Sequence, residues 1–366
     1  MQGIHRSILG RFRSWTHLHH AATALIVVFG LLIASGLTAF ALLYHPPKPA
    51  VSVKTPVATL KPTILPAVAV FYSPLTGEKV PDLATTQAVV TGVMIENSPD
   101  ARPQSGLKSA GVVYEAIAEG GITRFMALYQ QEKPALIGPV RSLRIYDIDW
   151  LAPFQAGIAH VGGSAAALKQ IRNGSYRDLD EFFNGSSFWR TTDRYAPHNV
   201  YTDFAHLDAL NNKKGYTTST FTAWPRKDDT PSKTPIASTI NVTISSALYN
   251  SKYTYDAANN DYLRYQAGAP HLDREQGQIS PKVVIVMDVH EQTVLQDGYR
   301  EQITTIGTGR ARIFQDGTVI TGTWSKTDSG SQTKFLDGSG KEIPLNRGQT
   351  WITAVPVNRG GGVTWQ

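Results

Sequence analysis

Two strongly strand-like runs, GVVYEAIAE and ITRFMALYQ, carry Glu115, Glu119 and Arg124 among β-branched and aromatic residues. A buried strand face ordinarily excludes charge, so acids and a guanidinium here need a partner, either each other or a ligand. Three kinds of chemistry fit these residue types. Paired carboxylates can act as general acid and base, guanidinium groups can grip a carboxylate or phosphate in a bidentate manner, and a histidine beside an acid can move a proton. The candidate groups are Glu96, Glu115 and Glu119; Arg102, Arg124, Arg141 and Arg144; and His160, Ser164, His198 and Asn199. Glu115 and Glu119 alone do not form a glycosidase pair. Four residues apart on one strand they stand ~13 Å apart, against the ~5–9.5 Å such a pair needs. Glu96, on a neighbouring strand, leaves a carboxylate pair open.

The elements that must position these groups follow from local pattern. Gly120-Gly121 between the two runs predicts a hairpin with a two-residue primed turn. Its register would pair Glu119 with Ile122, Ile117 with Arg124, and Glu115 with Met126. Alternation then puts Glu115, Glu119 and Arg124 on one face as a Glu–Arg–Glu cluster. The plain alternative is a solvated outer face with ordinary surface ion pairs. RSLRIYDIDWLAPF reads as helical, with Arg141 and Arg144 on one side. In HVGGSAAAL a strand ends at Val161 and Ser164 caps a helix, whose first N–H groups could hold an anion. No G-x-S-x-G elbow and no Ser–His–Asp order can be singled out, so no catalytic residue is assigned. No HExxH or comparable spacing points to a metal, and Gly307-Thr308-Gly309 lacks a following helix, so neither metal nor other cofactor is expected.

MIENSPDARPQSGLKSAGVVYEAIAEGGITRFMALYQ, then IGPVRSLRIYDIDW, HVGGS and APHNVY, resemble the YerB-like lipoprotein family, a bacterial family of uncharacterised function. The resemblance covers about residues 70–366 and includes a second family domain around YLRYQAG, IFQDGTVITGTW and LNRGQTWITAVP. It implies an extracytoplasmic, membrane-attached α+β protein and no established activity. Family members carry a lipobox cysteine. This chain has no cysteine at all, which implies a different mode of attachment.

Residues 21–44, AATALIVVFGLLIASGLTAFALLY, are uncharged and long enough to cross a bilayer, which takes roughly 20 residues. Arg6, Arg11 and Arg13 precede them without an acid, so residues 1–20 read as a cytoplasmic tail and the rest as exported. The competing reading is a signal peptide cleaved near Ala39-Phe40-Ala41. Residues 45–69 form a proline-rich linker, and PRKDDTPSKTP marks a second one at 225–237. These boundaries leave an α+β domain at 70–224 and a β-rich domain at 238–366. The net charge of +6 belongs to the tail and linker: six basic groups precede the first acid, Glu78, and the remainder holds 29 basic against 29 acidic residues. A nucleic-acid partner therefore loses its support. Zero cysteines exclude disulfides, thiol nucleophiles and cysteine-ligated metal. Tyr253, Tyr255, Tyr262, Tyr265, Trp324 and Trp351 could line a sugar-binding surface, but strand aromatics more often build core.

The expected architecture is α+β: a transmembrane helix, a sandwich-like α+β domain with a largely antiparallel sheet, and a mainly-β C-terminal domain. The leading functional reading is a single-pass envelope protein binding a polar or anionic ligand in a Glu/Arg/His-lined cleft. The partners considered are the membrane, through the helix, and a cell-wall polymer or an envelope protein. A carboxylate-based hydrolase of wall polymer and a non-catalytic scaffold remain open.

Overall fold

The computed structural model describes residues 19–48, 69–295 and 298–366; the cytoplasmic-tail expectation and most of the proline-rich linker fall outside them. The chain divides into two units, residues 1–67 and 68–366. In the first, helix α1 (His20–Leu43) runs 24 residues without an acidic or basic residue in its end turns and without a buried side chain. Its mean hydropathy reaches 2.5, and it is long and apolar enough to cross a membrane.

The second unit is organised by one ten-stranded sheet. Its strands are β1 (Thr91–Glu96), β2 (Val112–Glu119), β3 (Ile122–Tyr129), β4 (Gly157–His160) and β5 (Arg177–Asp180), followed much later by five more. A separate five-stranded sheet intervenes, built from β6 (Thr239–Thr243), β7 (Ser251–Asp256), β8 (Asp261–Gln266), β9 (Ala269–Pro270) and a final strand. The large sheet resumes with β10 (Val283–Val289). A hairpin of β11 (Glu291–Leu295) and β12 (Tyr299–Ile303) precedes β13 (Gly307–Gln315), β14 (Thr318–Lys326), β15 (Lys334–Leu336) and β16 (Thr350–Pro356); β17 (Gly362–Trp365) closes the chain in the smaller sheet. The spatial order of the large sheet is β15-β14-β13-β10-β16-β2-β3-β1-β4-β5. It runs without a break across both expected domains, because β16 pairs in parallel with β2, Thr350 beside Val112 through Thr353 beside Glu115. The α+β class and the strand-rich C-terminal part are as expected. Alongside the antiparallel hairpins, parallel pairings join β10 to β16, β16 to β2, β1 to β4 and β4 to β5. With β1 and β2 both antiparallel to β3, all of β10, β16, β2, β1, β4 and β5 end at one edge.

Both sheet faces are covered, which is why VVIVMDV and WITAVP read as near-continuous apolar runs. On one face Met94, Tyr114, Met126 and Ile158 pack with Tyr146, Ile148 and Trp150 of α2 (Ile145–Leu151) and with Ala167 and Ile171 of α3 (Ala165–Asn173). On the other, Val93, Val113, Phe125 and Ala127 meet Phe204 and Leu207 of α4 (Phe204–Lys213), and Ile240, Tyr253 and Tyr262 of the smaller sheet. Tyr253, Tyr262, Trp324 and Trp351 are no more than 1% exposed, so they are core, and Tyr255 and Tyr265 are half-buried.

The Gly-Gly hairpin forms, with φ of 55° at Gly120 and 78° at Gly121, values that a primed turn requires and glycine adopts freely. The expected pair Glu119–Ile122 is present, but Ile117 meets Thr123, so Ala118 is a bulge and the register shifts. Ala116, not Ile117, lies opposite Arg124, and Phe125, not Met126, lies opposite Glu115. A second correction concerns Arg141 and Arg144. Helix α2 starts only at Ile145, because the preceding residues bond as an extended segment: Arg141 N donates to Met94 O (2.8 Å) and Leu143 N to Gly162 O (3.0 Å).

Deleting residues 1–44 should move the protein from the membrane pellet to the soluble fraction without changing its melting temperature. Fractionation and thermal unfolding of both forms check this.

Candidate functional site

The bulge at Ala118 sorts the candidate charges onto two faces, so the expected Glu–Arg–Glu cluster becomes two networks. On the α2 face, Glu96 at the end of β1 sits directly across from Arg124 of β3, and Glu119 beyond the bulge joins them. Residues 139–144 wedge between the parting ends of the parallel strands β1 and β4. Glu96 N donates to Pro139 O (2.9 Å) and Val161 N to Arg141 O (3.0 Å). This delivers Arg141 and Arg144 to the carboxyl ends of the strands.

Glu119 is gripped from two sides. Arg124 Nη2 donates to its Oε1 (3.2 Å), Arg144 Nε donates to Oε2 (2.8 Å), and Arg144 Nη2 adds a second bond to Oε2. Burial would raise the Glu119 pKa, but Arg124 and Arg144 outweigh it and hold the carboxyl at about 2. The same guanidiniums are themselves fixed, Arg124 Nη1 to Ser142 O (2.9 Å) and Arg144 Nη1 to Leu143 O (3.0 Å). Glu96 accepts from Ser98 Oγ at Oε1 (3.0 Å). Arg141 Nε lies 3.2 Å from Glu96 Oε1 and His198 Nδ1 lies 3.0 Å from Oε2, ion-pair distances without aligned hydrogen bonds. The floor is thus Glu96, Arg124 and Arg144, at 4–6% side-chain exposure; the mouth is Glu119, Arg141 and His198, at 22–27%. Asp147 stands behind Arg144, accepting from its backbone N (2.8 Å), and burial pushes its carboxyl up to about 6 despite that bond.

Glu115 and Arg102 belong to the other face. Glu115 Oε2 accepts from Arg264 Nη2 (2.7 Å) and Trp351 Nε1 (3.2 Å), and both ion-pair partners are fully buried. Its Oε1 accepts from Thr123 Oγ1 (3.3 Å), which Asn97 Nδ2 supports (2.6 Å). Arg102 Nε donates to Asn97 Oδ1 (3.1 Å). Arg264 stacks 4.4 Å from the Trp351 ring centroid, donates to Tyr253 Oη (3.1 Å) and meets His271 Nδ1. Burial and then the Arg264 and Arg102 charges push the His271 pKa well down, so it stays neutral there. This network closes on itself and holds residues of both expected domains together.

The remaining expected site residues are satisfied locally. His160 is fully buried, with Nδ1 2.7 Å from Gly162 O and Nε2 3.1 Å from Asp178 Oδ1. Ser164 caps α3 by accepting from Ala167 N (3.4 Å). Asn199 accepts from Arg190 Nη1 (2.9 Å) and donates to Thr191 O (3.1 Å), tying down a loop. The structure therefore brings together Glu96, Glu119, Arg124, Arg141, Arg144 and His198, and not Arg102, Glu115, His160, Ser164 or Asn199. Ser98, Asp147, Arg264 and His271 were missed. For Arg264 a signal existed: alternation along YLRYQ puts Tyr262, Arg264 and Gln266 on one face.

Residues 75–217 match the family described as the N-terminal domain of a protein of unknown function (DUF3048), and residues 240–352 match its C-terminal domain. The Bacillus subtilis (strain 168) protein named "Putative lipoprotein YerB" is 34% identical over 303 residues, 80% of this chain and 90% of that protein. The crystal structure of YerB protein from Bacillus subtilis aligns with a TM-score of 0.72 at 31% identity, covering 80% of this chain and 99% of that one.

Two measurements test the two networks. Glu115→Ala should destabilise the fold by about 3–5 kcal/mol in urea unfolding, because Arg264 would be left buried without its counter-charge. Glu119 should show itself in acid. Its folded pKa is depressed, so its contribution to stability is present above the ordinary value of 4.5 and fades as pH falls toward about 2. Glu119→Gln should flatten the loss of stability in that window, read by thermal unfolding at stepped pH.

Proposed function

We propose, from the premise that this chain belongs to the DUF3048 family of proteins of unknown function, that it is a membrane-anchored envelope protein whose folded unit binds an anionic ligand at the mouth formed by Arg141, Glu119 and His198. The observation that carries this reading is the state of Arg141. Arg124 and Arg144 are each committed to Glu119, whereas Arg141 approaches Glu96 without an aligned hydrogen bond and keeps 24% of its side chain exposed. A guanidinium held by its stem with its fork uncommitted suits a carboxylate or phosphate from outside. Wall polymer bearing such groups is the ligand class in view.

The location rests on α1 and on the arginines of the tail. The relative carries a lipoprotein name; with no cysteine here, the helix takes the place of a lipid anchor. Arg6, Arg11 and Arg13 before the helix favour a cytoplasmic N-terminus and an exported folded unit. A carboxylate hydrolase would need an accessible acid with a raised pKa at this mouth. Glu119 is held at about 2 and the raised Asp147 is buried, so binding is the better-supported reading. The exposed Phe182, Phe183 and Tyr195, 69–92% accessible, favour a protein partner as the alternative.

Calorimetric titration of soluble anionic wall fragments into the detergent-solubilised chain decides between them. Binding should weaken about tenfold or more in Arg141→Ala, as expected for losing a charge-assisted bidentate contact, with an unchanged melting temperature. Equal binding by the variant, or none by either protein, would leave the partner-docking reading standing.

A further inference from the structure

Between the loop that follows β5 and helix α4 lies a pocket of about 400 Å³, within the ~300–1,000 Å³ range of small-molecule sites. Phe183 forms one wall, and Ala205 and Ala209 of α4 lie in its floor. The Phe183 ring is exposed, which is unfavourable for a phenyl group, yet it is held in place. The fully buried Asp180 anchors it: Oδ1 accepts from Gly162 N (3.0 Å) and Phe182 N (3.2 Å), and Oδ2 accepts from Arg172 Nη2 (3.0 Å). The guanidinium so fixed stacks 5.0 Å from the Phe183 ring centroid, and Arg172 is not among the pocket-lining residues. The loop beyond is tied down as well, Ser187 N donating to Asn184 O (2.8 Å) and Thr202 Oγ1 to Ser187 O (2.8 Å).

Three polar groups of the lining are left without protein partners. Asn184 Nδ2 donates to Asp180 O (2.8 Å), which leaves Oδ1 as an acceptor. Asp203 Oδ1 accepts from His206 N (2.8 Å) and lies 2.7 Å from His206 Nδ1, so Nδ1 carries the proton and Nε2 of the neutral ring accepts. Trp189 backs the same imidazole at 5.5 Å between ring centroids. Lys213 follows Ala205 and Ala209 at four-residue spacing, in one row along α4. The one acid within α4, Asp208, is engaged by Lys133 (2.7 Å), and no acid lies within ion-pair distance of Lys213 among the described residues.

We propose that this pocket binds an acidic sugar, a pyranose ring that carries a carboxylate. The C–H face of the ring lies on Phe183 and the alanine floor, since the negative face of an aromatic ring attracts weakly positive C–H groups. Ring hydroxyls donate to Asn184 Oδ1 and His206 Nε2, and the carboxylate meets the Lys213 ammonium. Other anions answer fewer of these groups. A flat aromatic carboxylate suits the ring and the lysine but brings no O–H to the two acceptors, and an inorganic anion engages the lysine alone. The pocket shares no lining residue with the mouth at Arg141, so the two sites stand or fall separately.

The full chain in detergent is titrated calorimetrically with methyl β-D-glucuronide, with methyl β-D-glucoside, benzoate and inorganic phosphate as comparison arms. Saturable glucuronide binding is expected, and about tenfold weaker binding or none for the three others. Phe183→Ala and Lys213→Gln, both at exposed positions, should each weaken glucuronide binding about tenfold at an unchanged melting temperature, whereas Arg141→Ala should leave it as in the parent. The proposal is overturned if the glucuronide fails to bind, if benzoate or phosphate binds as tightly, or if both pocket variants bind like the parent. It is equally overturned if Arg141→Ala abolishes the binding, which would assign the sugar to the mouth.

Discussion

A sheet covered on both faces leaves a charged side chain no water to point into. Each one must meet an opposite charge, accept or donate several hydrogen bonds, or reach the open edge where the strands end. The folded unit uses all three solutions. Glu115 and Arg264 meet each other between the large and small sheets, with Trp351, Tyr253 and Thr123 completing the coordination. Glu119, Arg124 and Arg144 pair at the carboxyl edge, and there the mouth groups Arg141 and His198 keep part of their surface in solvent.

One extra residue decides which solution each acid takes. Without the bulge at Ala118, Glu115 and Glu119 would lie on the same face, and Arg264 would have no counter-charge. With it, one acid serves internal cohesion and the other serves the edge. Such a bulge near a strand end re-aims side chains at little cost to the ladder, since the pairs on either side remain. The division also explains why the two networks differ in openness. The first is sealed by aromatic rings on three sides, and the second ends where six parallel-running strands stop.

Much of the site was legible from local pattern and the rest was not, for identifiable reasons. Gly120-Gly121 announced its turn because few other residues tolerate those dihedrals, and Ser164 announced its cap because a short hydroxyl before a helical run has few other roles. Glu96 was reachable as a neighbour of Arg124 once β1 and β3 were both read as strands. Ala118 gave no warning: nothing in VVYEAIAE distinguishes a bulged alanine from a paired one. Nor could local pattern find Arg264 as the partner of Glu115, 149 residues away, since that contact exists only once two sheets have packed. Arg141 and Arg144 misled for a different cause. RSLRIYDIDW has helical periodicity, but the wedge between β1 and β4 offers its first residues better backbone partners than a helix would.

The central pairing of β2 with β16 joins strands more than 230 positions apart in the chain. The middle of the large sheet therefore stays unzipped until nearly the last residues are available. During synthesis the edge of β2 away from β3 has no strand to pair with until β16 has been made. The two family segments are in this sense halves of one object, not modules on a string. Evolution could trade neither for a substitute without supplying a new neighbour for the strand left behind.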